Sequence, residues 1–141
     1  LDVTTQKEIL KLFRQISEEF GISILFITHD LGIVEQLTDR VYVMYLGQIV
    51  ESADTKKLFE NAQHPYTQGL FKSSPRYFNR PKEKLYTIKG NVENLKNLYP
   101  GCPFKNRCDK FINKCDDNYP EMIEIEENHF VRCFNIGDID E

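Results

Sequence analysis

The apolar positions near the start of the chain recur with helical spacing. Between Gln6 and Phe20 they fall on one face of a helix, which predicts an amphipathic helix. The residues on this face are Ile9, Leu12, Phe13, Ile16 and Phe20. Gly21 follows and is expected to end the helix, because glycine readily adopts the left-handed conformation found at helix C-termini.

An unbroken apolar run follows this helix and ends in the polar residues Thr28, His29 and Asp30. Strands that are buried on both faces have such runs, so Ile22–Thr28 is predicted to be a parallel strand. His29 then stands at the carboxyl end of that strand, where ligands bind in open α/β sheets. Asp30 is expected to cap a short helix that ends near Leu37.

Two β-rich runs come next, separated by a turn that contains glycine. Val41–Leu46 and Ile49–Ser52 flank Gly47 and Gln48, which predicts a β-hairpin. Helix, strand, helix and hairpin in this order are typical of an α/β domain. The predicted fold class is therefore α/β, with helix, parallel strand, helix, hairpin and further helices.

The second half of the chain changes in character. Short helices are predicted at residues 54–59 and Tyr66–Ser73, separated by the His64-Pro65 turn. From Arg76 to Pro100 the periodicity weakens and proline, glycine and asparagine accumulate, which predicts a linker or a loosely wrapped extension. We therefore divide the chain into residues 1–74 and a small, irregular, cysteine-rich region at residues 75–141.

Composition and charge exclude several classes of function. The 141 residues are 40% hydrophobic and 28% charged, which is ordinary for a globular protein. A formal net charge of -4 argues against nucleic acid as the main partner. No apolar run reaches the length of a membrane span, and no signal peptide opens the chain. Because the chain begins at Leu1, we expect it to be a fragment of a longer protein.

The four cysteines are confined to the C-terminal region. Cys102, Cys108, Cys115 and Cys133 have the spacing C-x5-C-x6-C-x17-C. Four thiolates can close a tetrahedral zinc site or hold an iron–sulfur cluster. The spacing matches neither the close pairs of zinc ribbons nor the run found in bacterial ferredoxins, and an even number of cysteines also permits disulfides.

Three short segments resemble motifs of ATP-binding-cassette (ABC) ATPases. L-D-V-T-T-Q at Leu1–Gln6 resembles the D-loop, I-T-H-D at Ile27–Asp30 the switch histidine, and Y-L-G-Q-I-V-E at Tyr45–Glu51 the strand pair that follows. The resemblance implies that His29 contacts the γ-phosphate of ATP and helps to orient the attacking water. It implies that Asp2 lies at the interface between two nucleotide-binding domains.

The phosphate-binding loop of these ATPases, G-x-x-x-x-G-K-[ST], is absent from the sequence. The family pattern places it upstream of Leu1. We therefore expect the fragment by itself to be inactive. On the family pattern, the other parallel strands of the domain also lie upstream. The sheet of the fragment would then have one uncovered side, which predicts self-association.

Three further motifs resemble the C-terminal extension of oligopeptide/dipeptide transporter ATPase subunits. They are H-P-Y-T-Q-G-L at His64–Leu70, G-C-P-F-K-N-R-C at Gly101–Cys108 and H-x3-C at His129–Cys133. The resemblance implies a [4Fe–4S] cluster, with zinc as the alternative. Disulfides are disfavoured, because an intracellular ATPase lies in a reducing compartment. The implied ligands are Cys102, Cys108, Cys115 and Cys133.

The function implied by the resemblance is that of the ATP-binding subunit of an ABC transporter that imports peptides. ATP and Mg²⁺ would be the cofactors of the full-length subunit. A second ATP-binding subunit and transmembrane permease subunits would be its partners, at the cytoplasmic face of the membrane. The alternative interpretation is a free-standing iron–sulfur or zinc-binding module with a structural or redox role.

Overall fold

The structure is a computed structural model, which describes residues 3–74, 86–94 and 100–136, without the side chains of residues 3 and 4. It divides into two compact units, Leu1–Thr38 and Asp39–Glu141. No helix in the described ranges has the length and apolar character needed to cross a membrane. The predicted boundary between residues 74 and 75 concerns the domains of a longer protein and stays a prediction.

The first unit contains two helices whose ends follow the predicted local chemistry. Helix α1 spans Val3–Phe20 and ends at Gly21, which has a φ of 61°. The Ile22 N–H donates to the Ser17 carbonyl at 3.2 Å, which closes the helix terminus as in a Schellman motif. Helix α2 spans Leu31–Leu37. The Asp30 carboxylate caps α2 by accepting the N–H groups of Gly32 and Ile33 at 2.8 and 3.3 Å.

The prediction of a buried parallel strand at Ile22–Thr28 is wrong. The segment has no regular secondary structure, and Leu25 and Ile27 are 84% and 91% exposed. A strand is held by hydrogen bonds to its neighbours, and no strand in the described part of the chain pairs with this segment. The apolar run therefore has the composition of a buried strand without the neighbours that would bury it.

The second unit is built on a four-stranded antiparallel sheet. Its strands are β1 (Arg40–Tyr45), β2 (Gln48–Asp54), β3 (Ile123–Glu126) and β4 (His129–Val131), in the order β1-β2-β4-β3. The predicted hairpin is confirmed as β1–β2. Its two-residue turn has positive φ angles at both central residues, the arrangement that matches the twist of paired strands. Strands β3 and β4 were not predicted, and β4 joins the cysteine-rich region to the hairpin.

Short helices and a small core complete the second unit. Helices α3 (Thr55–Asn61) and α4 (Pro65–Ser73) confirm the two predicted helices, and α5 is a single turn at Lys114–Asp117. A 3₁₀ turn covers Lys105–Arg107. The buried apolar core consists of Val43, Tyr45, Val50, Ala53, Leu58 and Phe104. Residues 86–94 of the predicted linker have no regular secondary structure, yet Ile88 packs against this core.

Candidate functional site

His29 lies in an exposed bend between the apolar run and helix α2. The backbone beside it is held by Thr28, whose Oγ1 accepts the Asp30 N–H at 3.0 Å, and by the Asp30 cap. The imidazole is thus accessible to a ligand, although no strand precedes it. Asp2 lies outside the described residues. The predicted roles of both residues stay predictions.

The four cysteines are carried by separate local elements. Cys102 follows Gly101, Cys108 ends the 3₁₀ turn, Cys115 lies on α5, and Cys133 follows β4 by two residues. The Cys102 N–H donates to the Cys115 carbonyl at 2.9 Å, which joins the first and third cysteine segments. All four cysteines are free thiols.

Gly101 makes this junction sterically possible. Its φ is 97°, and a Cβ at this position would overlap the carbonyl oxygens of Cys115 and Asp116. Lys105 reinforces the junction from the other side, since its Nζ donates to the Asp116 carbonyl at 2.9 Å. A glycine at this position is therefore required for the close approach of the two segments.

Burial is the main influence on the cysteine thiols. It raises the pKa of Cys102 and of Cys108, and it raises the pKa of Cys133 to about 11. Smaller upward contributions to the pKa of Cys133 come from the charges of Cys108, Cys102 and Cys115. Metal binding would have to displace the protons of Cys102, Cys108 and Cys133.

The arrangement does not form a preformed site for a single ion. Within residues 3–74, 86–94 and 100–136, no group of three or more histidine, cysteine or acidic side chains is placed to hold a metal ion. The predicted zinc alternative and the predicted free-standing metal module receive no support from this geometry. Among these residues there is likewise no preformed metal-binding group for the predicted [4Fe–4S] cluster.

A buried polar cluster centred on Glu51 was missed by the sequence analysis. Glu51 lies on β2 and is completely buried. Its Oε1 accepts the Gln63 N–H at 2.7 Å and lies 2.8 Å from Nε2 of His129, while its Oε2 accepts the His64 N–H at 3.0 Å.

His64 belongs to the same cluster and is more than the helix-breaking turn residue that the sequence suggested. It is only 2% exposed and occupies the N-cap of α4, where its Nδ1 accepts the Tyr66 N–H at 3.1 Å. Burial lowers its pKa to about 4. The imidazole is therefore neutral at physiological pH, as its acceptor role requires.

The sequence carried a weak signal for this cluster. Glu51 is a charged residue that directly follows Ile49 and Val50 in a predicted strand. His64 and His129 both occur in motifs that carried the family resemblance. Nothing in the spacing of these three residues predicts that their side chains meet.

The middle of the chain is similar to a known protein family. Residues 50–115 match the family described as "Oligopeptide/dipeptide transporter, C-terminal region". Over these residues the chain is similar to that C-terminal region. The match includes Glu51, His64 and three of the cysteines, whereas His129 and Cys133 lie beyond its end.

Curated proteins similar to the chain as a whole are named as ATP-binding proteins of peptide transport. The oligopeptide transport ATP-binding protein AppD of Bacillus subtilis is 46% identical over 134 residues, or 95% of this chain and 40% of the relative. The dipeptide transport ATP-binding protein DppD of the same organism is 43% identical over the same shares. DppF of Haemophilus influenzae, a dipeptide transport ATP-binding protein, is 36% identical over 96% of this chain and 42% of the relative.

These comparisons confirm the resemblance on which the sequence analysis relied. The similarity to the ATP-binding proteins extends beyond residues 50–115 and covers nearly the whole chain. The chain spans about 40% of the length of these curated relatives.

Proposed function

We propose that this chain is part of the ATP-binding subunit of a peptide-importing ABC transporter, which couples ATP binding and hydrolysis to the uptake of di- and oligopeptides. The observation that carries the proposal is the similarity to peptide transport ATP-binding proteins over 95% of the chain at 46% identity. ATP and Mg²⁺ are then the cofactors of the full-length subunit. Its partners are a second ATP-binding subunit and the permease subunits, at the cytoplasmic face of the membrane.

In this proposal His29 is the catalytic residue of the chain. Its exposed imidazole contacts the γ-phosphate and orients the attacking water, which is a role in the transition state more than in ATP binding. The cap at Asp30 supports the role, because it fixes the backbone that follows the histidine. Asp2 contributes at the interface with the second nucleotide-binding domain.

Substitution of His29 in the full-length subunit tests this role. We expect His29→Ala to lower kcat for ATP hydrolysis by roughly 10²- to 10⁴-fold, the range of positioned acid–base groups, while the Kd for ATP stays unchanged. Gln36→Ala, at an exposed position of α2, is the matched control and should hydrolyse ATP at the wild-type rate. Wild-type turnover of His29→Ala would contradict the assignment.

The second part of the proposal is a [4Fe–4S] cluster held by Cys102, Cys108, Cys115 and Cys133. Support comes from the chemistry of the four free thiols, because cysteine thiolates are the ligands of iron–sulfur clusters. A cluster distributes its ligands over several iron atoms, so the thiols need not converge on one point as they would for zinc. When bound, the cluster would cross-link the loop at Gly101, helix α5 and the end of β4.

Metal analysis of the full-length subunit, purified without oxygen, tests the cluster. We expect iron and sulfide in the wild type, and in Cys108→Ser a loss of iron together with a lower Tm, because ligation energy contributes to folding. Asn106→Ala, an exposed neighbour in the same turn, should retain its iron. Iron-free wild-type protein would contradict the cluster, and stoichiometric zinc in its place would favour the alternative.

The proposal also covers the behaviour of the 141-residue chain by itself. Without a phosphate-binding loop it should not hydrolyse ATP. Its exposed apolar run, which includes Leu25 and Ile27, should cause self-association. Light scattering should show a smaller mass for a Leu25→Ser, Ile27→Ser double variant, whereas Val92→Ser, at a 60% exposed position in the other unit, should leave the mass unchanged.

A further inference from the structure

Nothing in the described part of the chain holds the His29 imidazole directly. The side chain is exposed, and no hydrogen bond joins it to another described residue. The directions open to the imidazole are therefore set by the backbone that carries it, because the allowed rotamers depend on the backbone angles. His29 lies at a bend, so the residues on either side of it decide how firmly that backbone is held.

Two side chains hold the backbone around His29. The Thr28 Oγ1 accepts the Asp30 N–H at 3.0 Å. This hydrogen bond spans His29, because its acceptor and its donor belong to the residues immediately before and after the histidine. Asp30 is fixed in turn at the start of α2, where its carboxylate accepts the Gly32 and Ile33 N–H groups at 2.8 and 3.3 Å.

These hydrogen bonds are independent of what covers the preceding apolar run. Every donor and acceptor lies between Thr28 and Ile33. Threonine and aspartate side chains bond to nearby backbone N–H groups in this way without help from the rest of the fold. Valine is β-branched like threonine and has the same preference for extended backbone, so only the hydroxyl distinguishes the two residues at position 28.

We propose that Thr28 is a positioning residue for His29: its hydroxyl holds the Asp30 N–H and thereby fixes the backbone from which the imidazole reaches the γ-phosphate. The inference rests on the proposed function, which supplies the phosphate. Phosphoryl transfer depends mainly on positioning and on charge stabilisation, so a small displacement of the imidazole slows turnover. Thr28 acts through His29, and loss of its hydroxyl should therefore affect the transition state and leave ATP binding unchanged.

The first test compares Thr28→Val with Thr28→Ser in the full-length subunit. Valine keeps the branched shape without an acceptor, whereas serine keeps the hydroxyl. We expect Thr28→Val to lower kcat for ATP hydrolysis by roughly 2- to 10-fold, the effect of losing one hydrogen bond, with an unchanged Kd for ATP. Thr28→Ser should restore kcat.

Thr38→Val is the matched control for this comparison. It is the same substitution at the other end of α2, where the Thr38 hydroxyl donates to the Val34 carbonyl at 2.8 Å. The control thus also removes a hydrogen bond between a hydroxyl and the backbone, but one that does not span His29. It should hydrolyse ATP at the wild-type rate, and a loss equal to that of Thr28→Val would overturn the inference.

A double variant separates positioning from a general effect on the fold. If Thr28 acts only through the imidazole, Thr28→Val should cause no further loss once His29 is replaced by alanine. We therefore expect the same kcat in His29→Ala and in the variant that combines His29→Ala with Thr28→Val. An equal fold-loss from Thr28→Val in both backgrounds would overturn the inference, because the hydroxyl would then act independently of His29.

Hydrogen exchange at the Asp30 amide gives a measurement that does not involve ATP hydrolysis. The amide should exchange roughly 2- to 10-fold faster in Thr28→Val than in the wild type, and Thr28→Ser should restore the slower rate. Unchanged exchange in Thr28→Val would overturn the inference even if kcat were lower. If Thr28→Val does not fold, Thr28→Ala is judged by the same measurements.

Failure of the proposed function is distinguishable from failure of this inference. Wild-type turnover in His29→Ala would contradict the catalytic role of the histidine and the inference with it. Impaired turnover in His29→Ala, together with wild-type kcat in Thr28→Val, would overturn the inference alone.

Discussion

The two compact units have similar patterns of apolar residues but very different burial. In the part of Asp39–Glu141 that the structure describes, apolar side chains from the hairpin, α3 and the Phe104 loop form a common core. Between residues 5 and 38, no side chain is buried, although the first helix has a clear apolar face. The difference shows that periodicity establishes which face of an element could be buried, whereas burial itself depends on what packs against that face.

The contrast is sharpest between the hairpin and the run at Ile22–Thr28. Both have strand-like composition. The hairpin contains its own partner across a two-residue turn, so its ladder forms locally. The apolar run has no partner strand in the described residues and remains exposed.

The largest expected effect is the loss of core packing in the second unit. Leu58 is 1% exposed, so Leu58→Ala should lower the free energy of unfolding by about 2–5 kcal/mol. Leu25 is 84% exposed, and Leu25→Ala should change the same quantity by less than about 0.5 kcal/mol. Urea unfolding followed by circular dichroism measures both. Equal losses of unfolding free energy in the two variants would contradict the difference in burial between the two units.

The next effect is a pH dependence that is specific to the second unit. The pKa of His64 is lowered from 6.5 to about 4, so below pH 6.5 the unfolded chain takes up a proton that the folded unit does not. Stability should be complete above pH 6.5 and fall by up to about 3 kcal/mol as the pH approaches 4.

His64→Asn isolates this effect, because asparagine can cap a helix but does not titrate. The variant should show a flatter dependence of the unfolding free energy on pH over the same interval, whatever its stability at neutral pH. If the unfolding free energy depended on pH in the same way in the wild type and the variant, His64 would be excluded as the source of the pH dependence.

A smaller effect is expected at the junction of the cysteine segments. Gly101→Ala combines an unfavourable φ with overlap against two backbone carbonyls and should lower stability by roughly 1–3 kcal/mol. Gly47 also has a positive φ but open space around it, so Gly47→Ala should cost less, about 1 kcal/mol. A larger loss at Gly47, measured by urea unfolding, would be inconsistent with a role for Gly101 in close approach.

The smallest effect concerns the locally stabilised first unit. Asp30→Ala removes the N-cap of α2 and should destabilise that helix by about 1 kcal/mol. Hydrogen exchange at the amides of Gly32 and Ile33 should accelerate accordingly. Asp54 is the control, since it occupies the N-cap position of α3 without a side-chain cap bond. Comparable acceleration at the start of α3 in Asp54→Ala would contradict this explanation.

Local chemistry explains which predictions were confirmed. Gly21 ends a helix, Asp30 starts one, and the residues around Gly47 turn a hairpin, because each acts on atoms only a few positions away in the chain. The family motifs could be read for the same reason, since each is a short run of residues. The sequence by itself therefore determined helices α1 to α4, the hairpin and the resemblance to peptide transport ATP-binding proteins.

Tertiary structure alone decided where the apolar and charged side chains are placed. The Glu51 carboxylate meets an N–H 12 positions away and an imidazole 78 positions away, and no spacing rule connects residues so distant. The same is true of β4, whose pairing with β2 brings Cys133 to the hairpin. The apolar run at Ile22–Thr28 shows the converse, because a pattern suited to burial becomes a buried strand only when neighbouring strands supply the hydrogen bonds.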